Sequence, residues 1–386
     1  FTSVLMNPSS AAMIRSLFIN KEALEKGANR PKVADQAVRK LGVIGAGMMG
    51  AGIAYVSANA GIEVVLIDST QEAADRGKAH SETILDKGMK RGKVTAERKA
   101  EVLGRITATT DYAALNGTDL IVEAVFEDPK VKADVTHKVE AATDAIYATN
   151  TSTLPITGLA AASKRPDDFI GIHFFSPVDK MMLVEIIMGE KTGDKALANA
   201  LDFVRLIKKT PIVVNDTRGF FANRCVGRYV AEGHLMLMEG VPPAMIETVA
   251  RMAGMPVGPL SLNDEVAIDL SWKIVQATKK DLGEQAVDPA QERLIKTMVV
   301  DHERFGRKNG KGFYDYPQGG KKTLWPGLGK LAGKAIGPDT IDVEELKQRF
   351  LVTQAVEAAR TIAEGVVTDP READVGSILG FGFAPF

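Results

Sequence analysis

The sequence predicts an α/β protein: a doubly wound, mostly parallel sheet followed by an all-α C-terminal domain that is partly duplicated. Three observations predict it. Between residues 40 and 217, short apolar runs alternate with helical segments. After Asn215 the strand signals stop and helical patterns take over. Part of that helical pattern then recurs near the end of the chain.

Taken in order, residues 1–39 read as a linker helix. Ser9 and Ser10 give an N-cap signal ahead of Ala11, Ala12, Met13, Ile14, Leu17 and Phe18, and Gly27 to Pro31 break the helix. Residues 40–217 hold eight strand-like runs, at 41–44, 62–67, 105–110, 119–125, 145–150, 169–175, 183–188 and 211–214. Runs without polar alternation suit strands covered on both faces. Strands alternating with helices imply βαβ units and a parallel sheet. The gaps between the last runs are shorter, which admits antiparallel strands at that edge. Residues 218–317 form the helical domain, with breaks at Gly240–Pro243, Gly254–Pro259 and near Gly310. Residues 318–340, rich in Gly, Pro and Lys, read as a linker.

Residues 341–386 read as an incomplete second copy of the helical domain. Glu239-Gly240-Val241 recurs as Glu364-Gly365-Val366, an offset of 125, and Gly254 and Pro259 recur as Gly380 and Pro385, an offset of 126. The consistent order points to duplication. The first copy runs about sixty residues beyond Pro259, whereas the second stops at Phe386. With Phe1 rather than Met at the start, the sequence is expected to be the middle portion of a longer protein.

Composition excludes several classes of function. The 386 residues carry 48 Lys+Arg against 49 Asp+Glu, a net charge of −1, which gives no drive toward nucleic acid or an anionic membrane. Hydrophobic residues at 45% and charged residues at 25% exclude a disordered chain. The lone Cys225 supports neither an intramolecular disulfide nor a cysteine-based metal site, and no metal is expected. No apolar run reaches the ~18 residues of a transmembrane segment.

Gly45-Ala46-Gly47-Met48-Met49-Gly50 is a G-x-G-x-x-G that follows a strand and opens a helix over 51–60. Gly45 permits the tight turn, Gly47 lets backbone approach a pyrophosphate, and Gly50 lets helix and strand pack closely. The helix N-terminus offers N–H groups to phosphates. Asp68, 18 residues past Gly50, stands where a carboxylate accepts from ribose hydroxyls and repels a 2′-phosphate. The sequence therefore points to a Rossmann-like domain binding NAD rather than NADP. The alternative is a glycine turn with a helix-capping Asp.

Among five histidines, His80, His137, His234 and His302 read as solvated or structurally hydrogen-bonded. His173 ends an apolar strand, where ligands bind in a parallel sheet. Glu185, inside the run 183–187, is costly there unless paired. Pairing it with His173 would orient the imidazole as the carboxylate of a triad does. A satisfied core histidine with an unrelated Glu is the other reading of the same pattern.

These residues are shared with a family. Residues from about 40 to 317 resemble the NAD-dependent (S)-3-hydroxyacyl-CoA dehydrogenases, through GAGMMGAGIA (45–54), VEAVFEDPKVK (122–132), NTST (150–153), GIHFFSPV (171–178), MLVEII (182–187), DTRGFFANR (216–224) and GRKNGKGFYDY (306–316). The linker helix and the partial second copy resemble the multifunctional fatty-acid β-oxidation proteins, in which an enoyl-CoA hydratase domain precedes the dehydrogenase. The resemblance implies oxidation of (S)-3-hydroxyacyl-CoA to 3-ketoacyl-CoA. His173 is then the general base, Glu185 its orienting carboxylate, Ser152 a hydrogen-bond partner of the substrate oxygen and Asn223 a pocket residue. Local helix and turn capping is the other reading of Ser152 and Asn223. It also implies that Glu127 and Lys132 contact the nicotinamide half of NAD, with Met49 in the phosphate loop. It further implies a hydratase domain in the same natural chain, a thiolase subunit as partner and an oligomer. The expected location is cytoplasmic in a bacterium, or mitochondrial or peroxisomal in a eukaryote.

Two positions depart from the family. Ser176 stands in place of the usual Asn after His-Phe-Phe, and Arg218 in place of Pro. Activity is expected to persist with altered positioning. Lys87, Lys90, Arg91 and Lys93 form a basic cluster, either a solvated face or an attraction for coenzyme A phosphates. Two other functions stay open: a short-chain 3-hydroxybutyryl-CoA dehydrogenase, and a non-catalytic assembly portion that docks hydratase and thiolase partners.

Overall fold

The computed structural model describes residues 2–331 and 335–385. They divide into two compact units. One holds the chain up to Asn223 together with Thr361–Phe381, and the other holds Arg224–Arg360 with Gly382–Pro385. Phe386, the last residue of the expected second copy, and residues 332–334 of the expected linker lie outside the described residues.

The first unit is built on an eight-stranded sheet. Its strands are β1 (Lys40–Ile44), β2 (Glu63–Ile67), β3 (Ile106–Thr109), β4 (Leu120–Glu123), β5 (Ile146–Thr149), β6 (Phe169–Phe174), β7 (Leu183–Met188) and β8 (Thr210–Asn215). Each falls on one of the apolar runs of the sequence. The order is β3-β2-β1-β4-β5-β6-β7-β8, with the switch between β1 and β4. All neighbours run parallel except β6 and β7, which pair antiparallel after the shorter connection. Leu41, Val43, Leu66, Leu120, Val122, Ile170 and Ile186 are buried in one core between helices.

The first residues differ in detail from expectation. Asn7, not Ser9 or Ser10, caps helix Pro8–Ile14: its Oδ1 accepts the Ser9 N–H at 2.9 Å, and Pro8 takes the first helical position. The stretch read as a linker helix is docked on the sheet unit. The Arg30 guanidinium grips Asp202 through two bonds of 2.8 Å, and Glu25 accepts the Thr210 hydroxyl at 2.6 Å.

β3 is one edge strand of the sheet, and β8 is the other. Its inward N–H groups face β7, as Thr210 N–H does in donating to the Met182 carbonyl at 2.9 Å. The outward positions are Pro211, Val213 and Asn215. Pro211 has no N–H, Val213 donates to Glu372 Oε1 at 2.7 Å, and Asn215 donates to the Val366 carbonyl at 2.8 Å.

The two Glu-Gly-Val segments end their helices in the same kind of turn. Gly240 and Gly365 both take left-handed φ, of 101° and 72°, and the valine after each donates to a carbonyl five residues back. Beyond that turn the two stretches differ. Gly254 closes helix Pro243–Met252 with a φ of 96°, but Gly380, expected at the matching turn, lies inside helix Pro370–Phe381. Gly382 takes the left-handed turn instead, with φ 72°. Gly380 serves close approach: a Cβ there would stand 2.6 Å from Leu183 Cδ2.

The second unit is helical, over Pro243–Met252, Pro259–Val266, Ile268–Leu282, Pro289–Lys296 and most of Ala222–Glu239 and Val343–Ala363. It adds a short ribbon in which Tyr314–Asp315 pairs with Thr323–Leu324, so part of the stretch read as linker is folded back. Trp325 there packs under the Arg304 guanidinium at 4.2 Å. Among the described residues, no helix is long and apolar enough to cross a membrane.

Candidate functional site

The glycine loop lies at the carboxyl end of β1, beside the switch in strand order. Gly45 takes φ 97°, and a Cβ on it would meet the Ala124 carbonyl oxygen at 2.6 Å. A Cβ on Gly50 would stand 1.7 Å from the Gly45 carbonyl oxygen. These two glycines are required by packing. Gly47 is different: nothing lies within 4 Å of its Cβ position, and no side chain caps the helix Met48–Asn59 that it begins. Open space in front of an uncapped helix N-terminus fits a pyrophosphate. Asp68 Oδ2 accepts the Ala46 N–H at 2.7 Å, which ties the end of β2 to the loop. Met49 is half-buried against the core, while its neighbour Met48 is exposed.

Three strands along the sheet from β1, His173 and Glu185 stand opposite each other in the antiparallel register of β6 and β7. Directly opposed residues point to the same face. His173 Nδ1 lies 2.8 Å from Glu185 Oε2. Glu185 Oε1 accepts the Phe221 N–H at 3.2 Å and the Ala222 N–H at 2.9 Å, at the start of helix Ala222–Glu239. A carboxylate is stabilised at a helix N-terminus. Because the carboxylate accepts, Nδ1 carries the proton and Nε2 keeps its lone pair. Phe175 and Phe220 flank the imidazole at 4.6 Å and 6.0 Å between ring centres. Phe220 is itself in a left-handed conformation, with φ 49°, directly after Gly219 at 75°.

The turn after β5 bonds to residues adjoining this pair. Asn150 Oδ1 accepts the Phe174 N–H at 2.8 Å, fixing the strand end that carries His173. Asn223 Nδ2 donates to the Ser152 carbonyl at 2.8 Å. Glu127 Oε1 accepts from the Thr151 hydroxyl at 2.6 Å, the Ser152 N–H at 2.9 Å and the Thr153 N–H at 3.2 Å. Burial raises the Glu127 pKa, but Lys132 and these donors outweigh it and hold the carboxyl below its usual range. Lys132 is only 2% exposed. Its Nζ lies 2.8 Å from Glu123 Oε1 and 3.4 Å from Glu127 Oε2, so it reaches two carboxylates from within the sheet–helix packing. Sequence reasoning missed Asn150 and Glu123. Glu123 carried the same signal as Glu185, a carboxylate inside an apolar run.

Ser176 forms a cis peptide with Pro177, and its hydroxyl lies 3.7 Å from Met48 Sδ. The basic cluster is exposed at and beyond the end of helix Gln71–Lys90. Cations there also complement the helix dipole, as a solvated face does. Of the remaining histidines, His80, His137 and His302 are exposed. His234 is fully buried against Phe313, and that burial pushes its pKa down to about 4. It is therefore neutral in the folded chain.

Residues 40–217 match the family model of the 3-hydroxyacyl-CoA dehydrogenase NAD binding domain, and residues 219–316 match that of the C-terminal domain. The chain belongs to the 3-hydroxyacyl-CoA dehydrogenase family. It is an oxidoreductase of that type, and its cofactor is NAD. Among the solved structures, the (S)-3-hydroxybutyryl-CoA dehydrogenase of Ralstonia eutropha is 34% identical, with TM-score 0.68 over 73% of this chain and 100% of that one. The 3-hydroxybutyryl-CoA dehydrogenase of Escherichia coli is 26% identical, with TM-score 0.76 over 91% of this dehydrogenase and 90% of that one. The fatty acid oxidation complex subunit alpha of Shewanella amazonensis is 38% identical over 100% of this chain and 54% of its own length. The chain thus spans about half the length of the curated relatives it matches.

Proposed function

We propose that this dehydrogenase oxidises (S)-3-hydroxyacyl-CoA to 3-ketoacyl-CoA in fatty-acid β-oxidation, with His173 as general base. The single observation that carries this reading is the His173–Glu185 pair at the carboxyl edge of β6, with Nε2 left free. Bound NAD supplies the hydride acceptor for C3 of the substrate. Gly45, Gly47, Met49 and Gly50 form its phosphate loop, Asp68 its ribose end, and Glu127 the nicotinamide side.

His173 Nε2 takes the proton of the 3-hydroxyl, and Glu185 stabilises the imidazolium that results. The Ser152 hydroxyl holds the substrate oxygen, and Asn223 fixes the Ser152 backbone. Lys132 stands behind Glu127 and shapes it from within. In the reverse direction His173 returns the proton to the carbonyl oxygen.

The deciding experiment is reduction of acetoacetyl-CoA by NADH with His173→Ala. Turnover should fall by about 10²–10⁴-fold, the range of a lost general base. Wild-type turnover in that variant would sink the assignment. The two solved relatives carry 3-hydroxybutyryl-CoA in their names, which favours a short-chain substrate as a second reading. A series of acyl chain lengths separates the two. The relatives named as subunits of a complex, of which this chain spans 54% in one case, support a place in a longer chain. A hydratase domain in that chain, a thiolase partner, a cytoplasmic location and an oligomeric state belong to the same proposal. A monomeric mass of the full-length protein in light scattering would contradict the last of these.

A further inference from the structure

We propose that Glu123 is a positioning residue for the reaction: through Lys132 and Glu127 it sets where the Ser152 hydroxyl points. The inference rests on the dehydrogenase reading above. Glu123 ends β4 and is 1% exposed. Its Oε1 accepts the Val125 N–H and Lys132 Nζ, both at 2.8 Å, and its Oε2 accepts the Thr149 hydroxyl at 2.8 Å. The carboxylate is therefore fixed in every direction. A buried ion pair of this kind adds less stability than apolar packing would. Its value lies in where it holds Lys132.

Lys132 is shared between Glu123 and Glu127, with the Glu127 contact the longer at 3.4 Å against 2.8 Å. That leaves Glu127 Oε1 free to gather the turn at 151–153. The Ser152 hydroxyl itself lies 3.4 Å from that oxygen, a long bond that a substrate oxygen can compete for. Neutralising Glu123 releases Lys132 to pair fully with Glu127. The carboxylate is then drawn inward, and the turn loses the acceptor that aims Ser152.

The test compares wild type, Glu123→Gln, Ser152→Ala and the double variant in reduction of acetoacetyl-CoA by NADH. Glu123→Gln should lower kcat about tenfold, the cost of a misplaced positioning group, and leave the acetoacetyl-CoA KM within about twofold. In the Ser152→Ala background the same change should cost nothing further. Additive losses, or an unchanged kcat in Glu123→Gln, would overturn the inference while leaving the dehydrogenase reading intact. An inactive wild type would overturn both. Should Glu123→Gln not fold, Thr149→Val removes one donor to the same carboxylate; kcat should fall about two- to threefold, and an unchanged kcat overturns the inference.

Discussion

Glu185 joins His173 to the start of the helix at Ala222: one oxygen takes the imidazole N–H, and the other takes two backbone N–H groups. The strand pairing brings the two side chains face to face, and the helix then holds the carboxylate still. The tautomer of His173 is thus a property of the fold.

Glu185→Gln is expected to lower kcat by about 10²–10⁴-fold with little change in melting temperature. A glutamine that keeps its oxygen on Phe221 and Ala222 presents its NH2 to Nδ1. The imidazole must then carry its proton on Nε2 and can no longer act as base. Steady-state kinetics beside a thermal melt check this, and an unchanged kcat would show that Glu185 does not select the tautomer.

Gly47→Ala and Gly50→Ala should separate binding from folding. Nothing stands within 4 Å of a Cβ at position 47, whereas one at position 50 would stand 1.7 Å from backbone oxygen. Gly47→Ala is expected to fold normally and bind NADH about tenfold or more weakly, since the added methyl fills the phosphate space. Gly50→Ala should lose about 3 kcal/mol or more of stability. Fluorescence titration of NADH and thermal melts measure both, and equal effects at the two positions would reject the division.

Reversing the charge of Lys87 and Lys90 together should raise the acyl-CoA KM about threefold or more and leave the NADH KM unchanged. Raising the ionic strength should shrink the difference. If the acyl-CoA KM stays put, the cluster is a solvated helix end and nothing more.

Glu372 gives a pH test of the first unit. Burial is the largest influence on its pKa, raising it from 4.5 to about 7 against the bonds from Val213 and Asn29, with Asp369 and Arg371 as smaller neighbours of opposite effect. A carboxyl raised in the fold contributes stability that is full below its ordinary value and is lost as pH rises through about 7. Glu372→Gln keeps an acceptor for Val213 without the charge. The variant should therefore gain stability over wild type between pH 5 and pH 8, by on the order of 3 kcal/mol. Parallel melting curves across that range would contradict the argument.

The eight strands were legible because strands buried on both faces leave uninterrupted apolar runs. The His173–Glu185 pair was legible because an ionised group in such a run demands a partner. Glu123 gave the same signal, but its partner Lys132 sits on a helix among other lysines, where one more reads as a solvated charge. Gly380 misled because a glycine near a helix end serves either a turn or close approach, and only the packing against Leu183 separates the two. The capping by Asn7 was hidden by two adjacent serines with the same local chemistry. Contacts such as Asn29 with Glu372, at 2.7 Å, join residues far apart in sequence and leave no local pattern.

The outward face of β8 has a consequence for solubility. Pro211 offers no donor, and the N–H groups of Val213 and Asn215 are already taken by Glu372 and Val366. A strand edge with no spare donors is a poor template for a strand from another molecule. The segment after Gly365 therefore acts as a guard against edge-to-edge association, and a chain shortened before it would present a bare, apolar strand edge to its neighbours.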